Sequence, residues 1–446
     1  MVMLSADESA AFANMLKSMI GLGLLQLPWA TAQVGVVGSA VGLVALAFCA
    51  AYGLKLLALC IAWERVHNDS YGRLQPAEQH AEQPAEEPEG AKRGADSSPS
   101  LHGAWGRVAG CAFGRWGQLG VVCTLLAAQG GVGVAFIGFV ADLITGYTTA
   151  LSQASSTLAV WGVCCGLSLV RPLRSVAWIS GAALVVYLWV LVLVFYYGAA
   201  ELEQSAQPVV AFTPAGLGSW LGPSLFALAV TGTAPTIFDS MSGGRDPAPF
   251  LRVVNATYVF TVVVYAAVGC FGYVAWGAAV NDDILYSLPD GALATSAKVT
   301  IAAILLLSYP IQLAPVFDAC ERQLPPQHAA ALWPLVRVGI VGATALLAYA
   351  VPNVLTATSL VGDVAYSLLA FILPGLIYLQ LRPPPLLVMG GAPSPSREAA
   401  AATPSDAAAA SGRTALPRDA FDVGMSVLLI LLGVVGGIWG VIDTVE

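Results

Sequence analysis

Runs of about twenty apolar residues recur along most of this 446-residue chain. A helix needs about 20 such residues to cross the hydrocarbon core of a bilayer. Eleven stretches qualify as expected spans: 11–33, 36–63, 117–145, 156–171, 175–198, 222–241, 252–277, 293–318, 330–351, 354–381 and 421–443. The expected fold is therefore an all-α polytopic membrane protein. Composition agrees, with 57% apolar and only 10% charged residues, where soluble domains carry about one-quarter charged. The net charge of −8 comes largely from Glu78, Glu82, Glu86, Glu87 and Glu89 in one loop, so it says little about partners. There is no basic stripe for nucleic acid.

The acidic start (Asp7, Glu8) offers no basic n-region, so no cleavable signal peptide is expected and the first span would direct insertion. Residues 1–10 form a short N-terminus before spans one and two (11–63). The stretch 64–116 begins as a Pro/Glu/Ser-rich linker expected to be largely disordered through about residue 100. Trp105 to Trp116 would make an amphipathic lead-in to the third span. Residues 117–381 hold spans three to ten, 382–419 form a second linker, and 420–446 carry the last span and a short tail. Basic residues set orientation. On this map sixteen of the nineteen Lys and Arg lie in loops on one side or, as Arg171, Arg252 and Arg337 do, at that end of a span, and the opposite loops hold none. The N-terminus is then cytoplasmic and the C-terminus on the far side. The sequons Asn68-Asp69-Ser70 and Asn255-Ala256-Thr257 fall on the cytoplasmic side and are expected to stay unmodified. None of the eight cysteines falls in an outer loop, so no structural disulfide is expected, and Cys164-Cys165 reads as small helix-packing surface.

Two spans carry helix-breaking residues in their middles. The first has Gly21-Leu22-Gly23 with Pro28 beyond, and the sixth has Thr231-Gly232-Thr233-Ala234-Pro235. Glycine weakens a helix, and lipid offers no water to satisfy freed backbone. Such breaks persist only where protein or a cavity covers them. Paired interruptions at corresponding places in two halves point to a transporter's binding site. Offset by five spans, they match an inverted repeat of spans one to five and six to ten.

Several segments resemble one family. Asn14 to Ala30, with Lys17 followed by Ile20-Gly21-Leu22-Gly23-Leu24-Leu25 and Leu27-Pro28, is similar to the first span of the amino acid/auxin permease family, nearest its proton-assisted and vacuolar branches. Pro235 to Met241 with Asp246-Pro247, Gly269 to Tyr273 with Trp276-Gly277, Ser308 to Pro315, and Gly362 to Pro374 resemble its later spans. The resemblance implies a LeuT-like fold, a 5+5 inverted repeat plus one extra helix, moving amino acids with protons or sodium.

An amino acid brings a carboxylate and an ammonium, both unfavourable to desolvate without partners. Backbone at Ile20, Gly21, Leu22 and Gly23, at the positive end of a half-helix, suits the carboxylate; close helix packing is the other use of such glycines. Thr231, Gly232, Thr233 and Ala234 would offer carbonyls or hydroxyls to the ammonium. Gln129, Ser308 and Gln312 join them as substrate-contact candidates, and ordinary interhelical hydrogen bonding is the competing reading. Phe226 is a candidate lid, or a lipid- or core-facing ring. Vacuolar relatives often have a histidine near this site, but His67, His80, His102 and His328 all fall in loops on this map. Lys17 matches the lysine of proton-assisted relatives, where its charge would stand in for sodium; a lysine snorkelling to the headgroups is the alternative. Lys55 reads as snorkelling. Among the membrane acids Asp142, Asp239 and Asp363, the deepest, Asp363, is the first proton-coupling candidate.

The expected function is proton-coupled secondary transport of amino acids, small and neutral, in a vacuolar, lysosomal or plasma membrane. Sodium coupling and an amino-acid sensor on the same fold are the alternatives. The spans lack a His cluster, clustered Cys ligands and paired acids at catalytic spacing, so no enzyme, metal or cofactor is expected. No repeated filter suggests a channel.

Overall fold

The computed structural model describes residues 5–74, 104–147, 151–170, 176–204, 208–241, 246–321, 324–325, 327–351, 353–383 and 418–445. Most of both expected linkers lies outside these residues, as do the acidic glutamates, His80 and His102. Every regular element among the described residues is helical. In chain order these are α1 (Ala6–Met19), α2 (Leu22–Val34), α3 (Val36–Leu74), α4 (Ala104–Tyr147), α5 (Gln153–Leu169) and α6 (Val176–Gln204). Then come α7 (Leu217–Ala227), α8 (Ala234–Ser240), α9 (Pro247–Trp276), α10 (Ala292–Gln312) and α11 (Ala314–Glu321). The last are α12 (Ala329–Ala350), α13 (Val354–Leu360), α14 (Leu373–Leu381) and α15 (Arg418–Val445). Between α13 and α14 the chain runs through two π-helical turns, Val361–Tyr366 and Leu368–Ile372.

Among the described residues eight helices are long and apolar enough to cross a membrane, and the α1–α2 pair makes nine if counted as one broken span. The other two expected spans take different forms. Residues 156–171 fall on α5, of 17 residues, and 222–241 on α7 and α8 with irregular chain between. One boundary departs from expectation: helix α3 runs on to Leu74, into the expected linker and past His67. Helix α4 begins at Ala104, so the Trp105–Trp116 lead-in is helical. Gly114 bends α4 with φ 63°, a conformation only glycine adopts freely, and so separates the Trp105 lead-in from the span.

Local chemistry sets the element ends. Ser5 and Glu8 form a reciprocal capping box at the start of α1, and Glu8 also accepts from Arg252 of α9. Helix α2 is apolar on all sides and buried from Leu22 to Pro28, as expected of a helix enclosed by others; it packs against α7 and α9. Its far end turns at Gly35, φ 84°, onto an extended segment. There Val37 N–H donates to Ala211 at 2.9 Å and Thr213 N–H to Val34 at 2.9 Å. The far end of the broken span is thereby sealed with paired backbone.

The final helix is pinned near both ends by polar pairs. Lys55 of α3 does not snorkel as a lone cation: its ammonium lies 2.8 Å from Asp422 of α15, which also accepts from Tyr52. At the other end Ser219 of α7 donates to Asp443. The apolar surroundings make such pairs attractive, because a lone charge there would be expensive. At the N-terminal end, Asp239 of α8 pairs with Arg65 at 2.5 Å and Arg107 at 3.8 Å.

Outside the spans, the loop from Gly277 to Gly291 folds back so that Asp283 is buried, 7% exposed. Burial pushes its carboxyl up to about 7, the Leu285 amide it caps pulls it down, neighbouring Asp282 raises it and Lys298 lowers it. An unfolded aspartate ionises near pH 4, so the folded chain binds the extra proton between the two values. This contribution to stability is present at low pH and is lost as pH rises toward 7. Asp283→Asn keeps the cap acceptor without titrating. Between pH 5 and pH 8 the melting temperature of the parent should fall further than that of the variant; parallel curves would refute the assignment.

Candidate functional site

The two helix breaks lie against each other. The chain bends by 57° between α1 and α2. Gly21 at the bend has φ −161°, an extended conformation open to any residue, and nothing would meet a Cβ there. Gly23 has a different reason: its missing Cβ would fall 2.5 Å from Ala227 Cα, so the two half-helices touch through backbone. Of the two readings of the glycine pair, close packing accounts for Gly23. The second break runs from Leu228 to Thr233, and Pro235 sits in the first turn of α8, where its missing N–H is harmless.

Freed backbone is partly satisfied by side chains from neighbouring helices. The hydroxyl of Tyr265, on α9 and fully buried, lies 2.6 Å from the Met19 carbonyl and 3.1 Å from the Ala227 carbonyl. One phenol thus bridges both breaks. Trp105 donates its indole N–H to the Thr231 carbonyl at 3.0 Å. Tyr258 faces the Leu228 carbonyl at 3.5 Å.

A cavity of about 190 Å³ lies beside the breaks. A single water needs roughly 10–15 Å³ on the same measure, so the space suits a small molecule. Among the expected contacts, Ile20, Gly21, Leu22, Gly23, Gly232, Thr233, Gln129, Ser308 and Gln312 all line it, with Lys17 and Phe226. Thr231 and Ala234 do not: both are buried behind the wall, and the Thr231 carbonyl is already taken by Trp105. Asp363 is also off the wall, one turn from Tyr366, which does line it. Asp142 and Asp239 are elsewhere, held by Gln153 and by the arginines.

The chemistry of the wall is asymmetric. Gly21 brings no side chain to cap α2, so the positive end of that helix meets the cavity through its own amides. Lys17, half-buried, adds a cation at the same bend. Also on the wall, Gln312 donates to Gln129 at 2.6 Å, with Ser308 one turn before it, and Thr233 lines the same space. No carboxylate lines the space. An anionic group is thus met at α2 and Lys17, and a cationic one by amide and hydroxyl dipoles. Phe226 and Tyr366 meet edge-on over the buried end, ring centres 6.1 Å apart. Lining residues on that side are buried, whereas Lys17, Ser18, Gln312 and Pro315 are half- or fully exposed. The cavity therefore opens toward the end that carries the chain's N-terminus.

The model of the family described as transmembrane amino acid transporter protein matches residues 8–396. The chain belongs to that family. It is a family of transporters rather than of enzymes, and the chain is an integral, multi-pass membrane protein. Relatives include amino acid transporter AVT3C of Arabidopsis thaliana, 24% identical over 84% of this chain and 83% of its own. AVT3B of the same plant is 26% identical over 63% of this chain and 70% of its own. Vacuolar amino acid transporter 3 of Saccharomyces cerevisiae is 27% identical over 46% of this chain and 32% of its own.

Sequence reasoning missed Tyr265, Tyr187, Phe136 and Tyr366 at the site, and the bond from Trp105. Buried aromatics in apolar spans carry no local signal of which neighbour they serve. Two tests follow from the packing. Gly23→Ala should destabilise by about 1–3 kcal/mol, the usual effect of overpacking, while Gly21→Ala leaves stability nearly unchanged; equal shifts in thermal melting would sink this distinction. Tyr265→Phe should destabilise by about 1–2 kcal/mol by removing the one donor that two buried carbonyls share, and a melting temperature equal to the parent's would show that the bridge contributes nothing.

Proposed function

We propose that the chain is a secondary active transporter of small neutral amino acids, driven by protons and working by alternating access around its two breaks. The observation that carries this reading is the cavity beside them, lined by a helix N-terminus, by Lys17 and by uncharged amide and hydroxyl dipoles, with no carboxylate. That polarity suits a zwitterion. The carboxylate would lie on the amides of Leu22 and Gly23, and the ammonium near Gly232, Thr233, Ser308 and the Gln129–Gln312 pair. Backbone and small polar groups would read the amino-acid core, while Phe136, Tyr187, Phe226 and Tyr366 on the same wall leave little room for a large side chain. Lys17 on that wall disfavours a sodium ion beside it by like-charge repulsion, which favours the proton as the driving ion.

The architecture proposed is eleven spans, with α1–α2 and α7–α8 as the broken first and sixth. It is a LeuT-like 5+5 inverted repeat with α15 as the extra helix. What supports it is the mutual contact of two breaks five spans apart. The N-terminus is proposed to face the cytoplasm, because Arg65, Arg107 and Arg252 converge at that end. The membrane is vacuolar, lysosomal or plasma membrane, the first echoing the name of the yeast relative. In this orientation the cavity opens inward, and Phe226 and Tyr366 close its outer end.

The test is uptake of labelled L-alanine into proteoliposomes. A pH gradient should drive accumulation several-fold above equilibrium, and a sodium gradient alone should not. Accumulation that follows only sodium would reverse the coupling assignment, and a competition panel of large and charged amino acids reads the size limit.

A further inference from the structure

Asp363 is remote from the cavity wall yet fully enclosed, 1% exposed, in the first of the two π-helical turns. Its Oδ1 has no hydrogen-bond partner among the described residues, and its Oδ2 accepts one bond, from Thr444 of α15 at 3.3 Å. The walls around it are glycine. A Cβ on Gly440 of α15 would fall on the carboxyl itself, and one on Gly222 of α7 would lie 2.8 Å from Oδ2. Backbone therefore touches both oxygens. A metal ion with even part of a coordination shell has no room here, and no group of three or more metal-ligating side chains exists among the described residues. The facing groups from each packed element are few. Helix α7 brings Gly222 and α13 brings Ser359. Helix α15 brings Gly440, Thr444 and the acid Asp443, and α4 packs near by through Gly131 against Val361. No cation is among them.

We propose that the Asp363 carboxyl is the proton-binding site of this transporter, behind the aromatic lid rather than in the substrate cavity, and completed by the last helix. This rests on the reading of the chain as a proton-driven carrier. A neutral acid fits what is seen: a single bond accepted, no cation, a second acid near by and close glycine walls. An ionised carboxylate in the same place would lack partners. The connection to the lid is one helical turn on each side. Gly222 and Phe226 share a face of α7, and Asp363 and Tyr366 share the facing surface. The contact that encloses the carboxyl continues into the Phe226–Tyr366 pair. Loss of the proton would place a bare charge against Gly222 and Gly440, and relief requires α7 and α15 to part and admit water. The lid ring on α7 moves with that parting. π-Helical turns, which recur at functional sites, supply a segment with an alternative hydrogen-bond register.

Infrared spectroscopy on the full-length protein in lipid nanodiscs tests the site without any substrate. On an Asp283→Asn background, which removes the loop acid that also holds a proton near neutral pH, the protein should show a protonated-carboxyl stretch at neutral pH that is lost when Asp363→Asn is added. Thr444→Val, which keeps the carboxyl and removes its hydrogen bond, should shift that band. A band retained in Asp363→Asn or unshifted in Thr444→Val overturns the site. If Asp363→Asn does not fold, Thr444→Val decides alone. Labelled L-alanine uptake separates the two levels: a wild type that has the band yet ignores a pH gradient overturns proton-driven transport, whereas gradient-driven uptake without the predicted band changes overturns Asp363 as the site.

Discussion

The structure depends on backbone that two helix breaks leave without helical partners inside an apolar bundle. Each unsatisfied amide or carbonyl there is unfavourable by several kcal/mol, so the breaks exist only because neighbours meet them. Tyr265 is the clearest case, one hydroxyl against the Met19 and Ala227 carbonyls. Trp105 serves Thr231 in the same way. The groups left over, at the start of α2 and beside Gly232, face the cavity. What the protein offers a ligand is the remainder after its own side chains have taken their share.

The same constraint organises the periphery. Several charged side chains that reach into the bundle are held by partners: Lys55 by Asp422, Asp443 by Ser219, Asp239 by Arg65 and Arg107. The first two pairs tie the last helix to α3 and α7, so α15 is part of the working structure and not a passive addition. Among these charged side chains Asp363 is the exception, with one oxygen unpaired and glycine on two sides. A buried acid with an unpaired oxygen is the kind of local inconsistency expected where function resides. Gly222, Gly437 and Gly440 all face one short stretch around Asp363, where a Cβ would clash with backbone or with the carboxyl.

Much of the site was legible from residue types. Gly21, Leu22 and Gly23, and Gly232 and Thr233, announced themselves as helix breakers in membrane-length runs, and they line one cavity with Gln129, Ser308 and Gln312. The reasons were less legible. Gly21 and Gly23 look alike in sequence, yet one stands in open space and the other against Ala227. Thr231 and Ala234 look like their neighbours, yet they face away. Lys55 looked like a cation reaching for headgroups, because its acid lies 367 residues away.

The sequence by itself determined that this chain lives in lipid, where its helices run, and which two of them break. Those follow from local facts: apolar length, the backbone freedom of glycine and the missing amide of proline. Only the tertiary structure decided which freed carbonyls are taken by Tyr265 and Trp105, which face of each break meets the cavity, and that Asp363 is sealed by the last helix. These are contacts between residues far apart in the chain. Their geometry is set by how the helices pack, which no single stretch of sequence encodes.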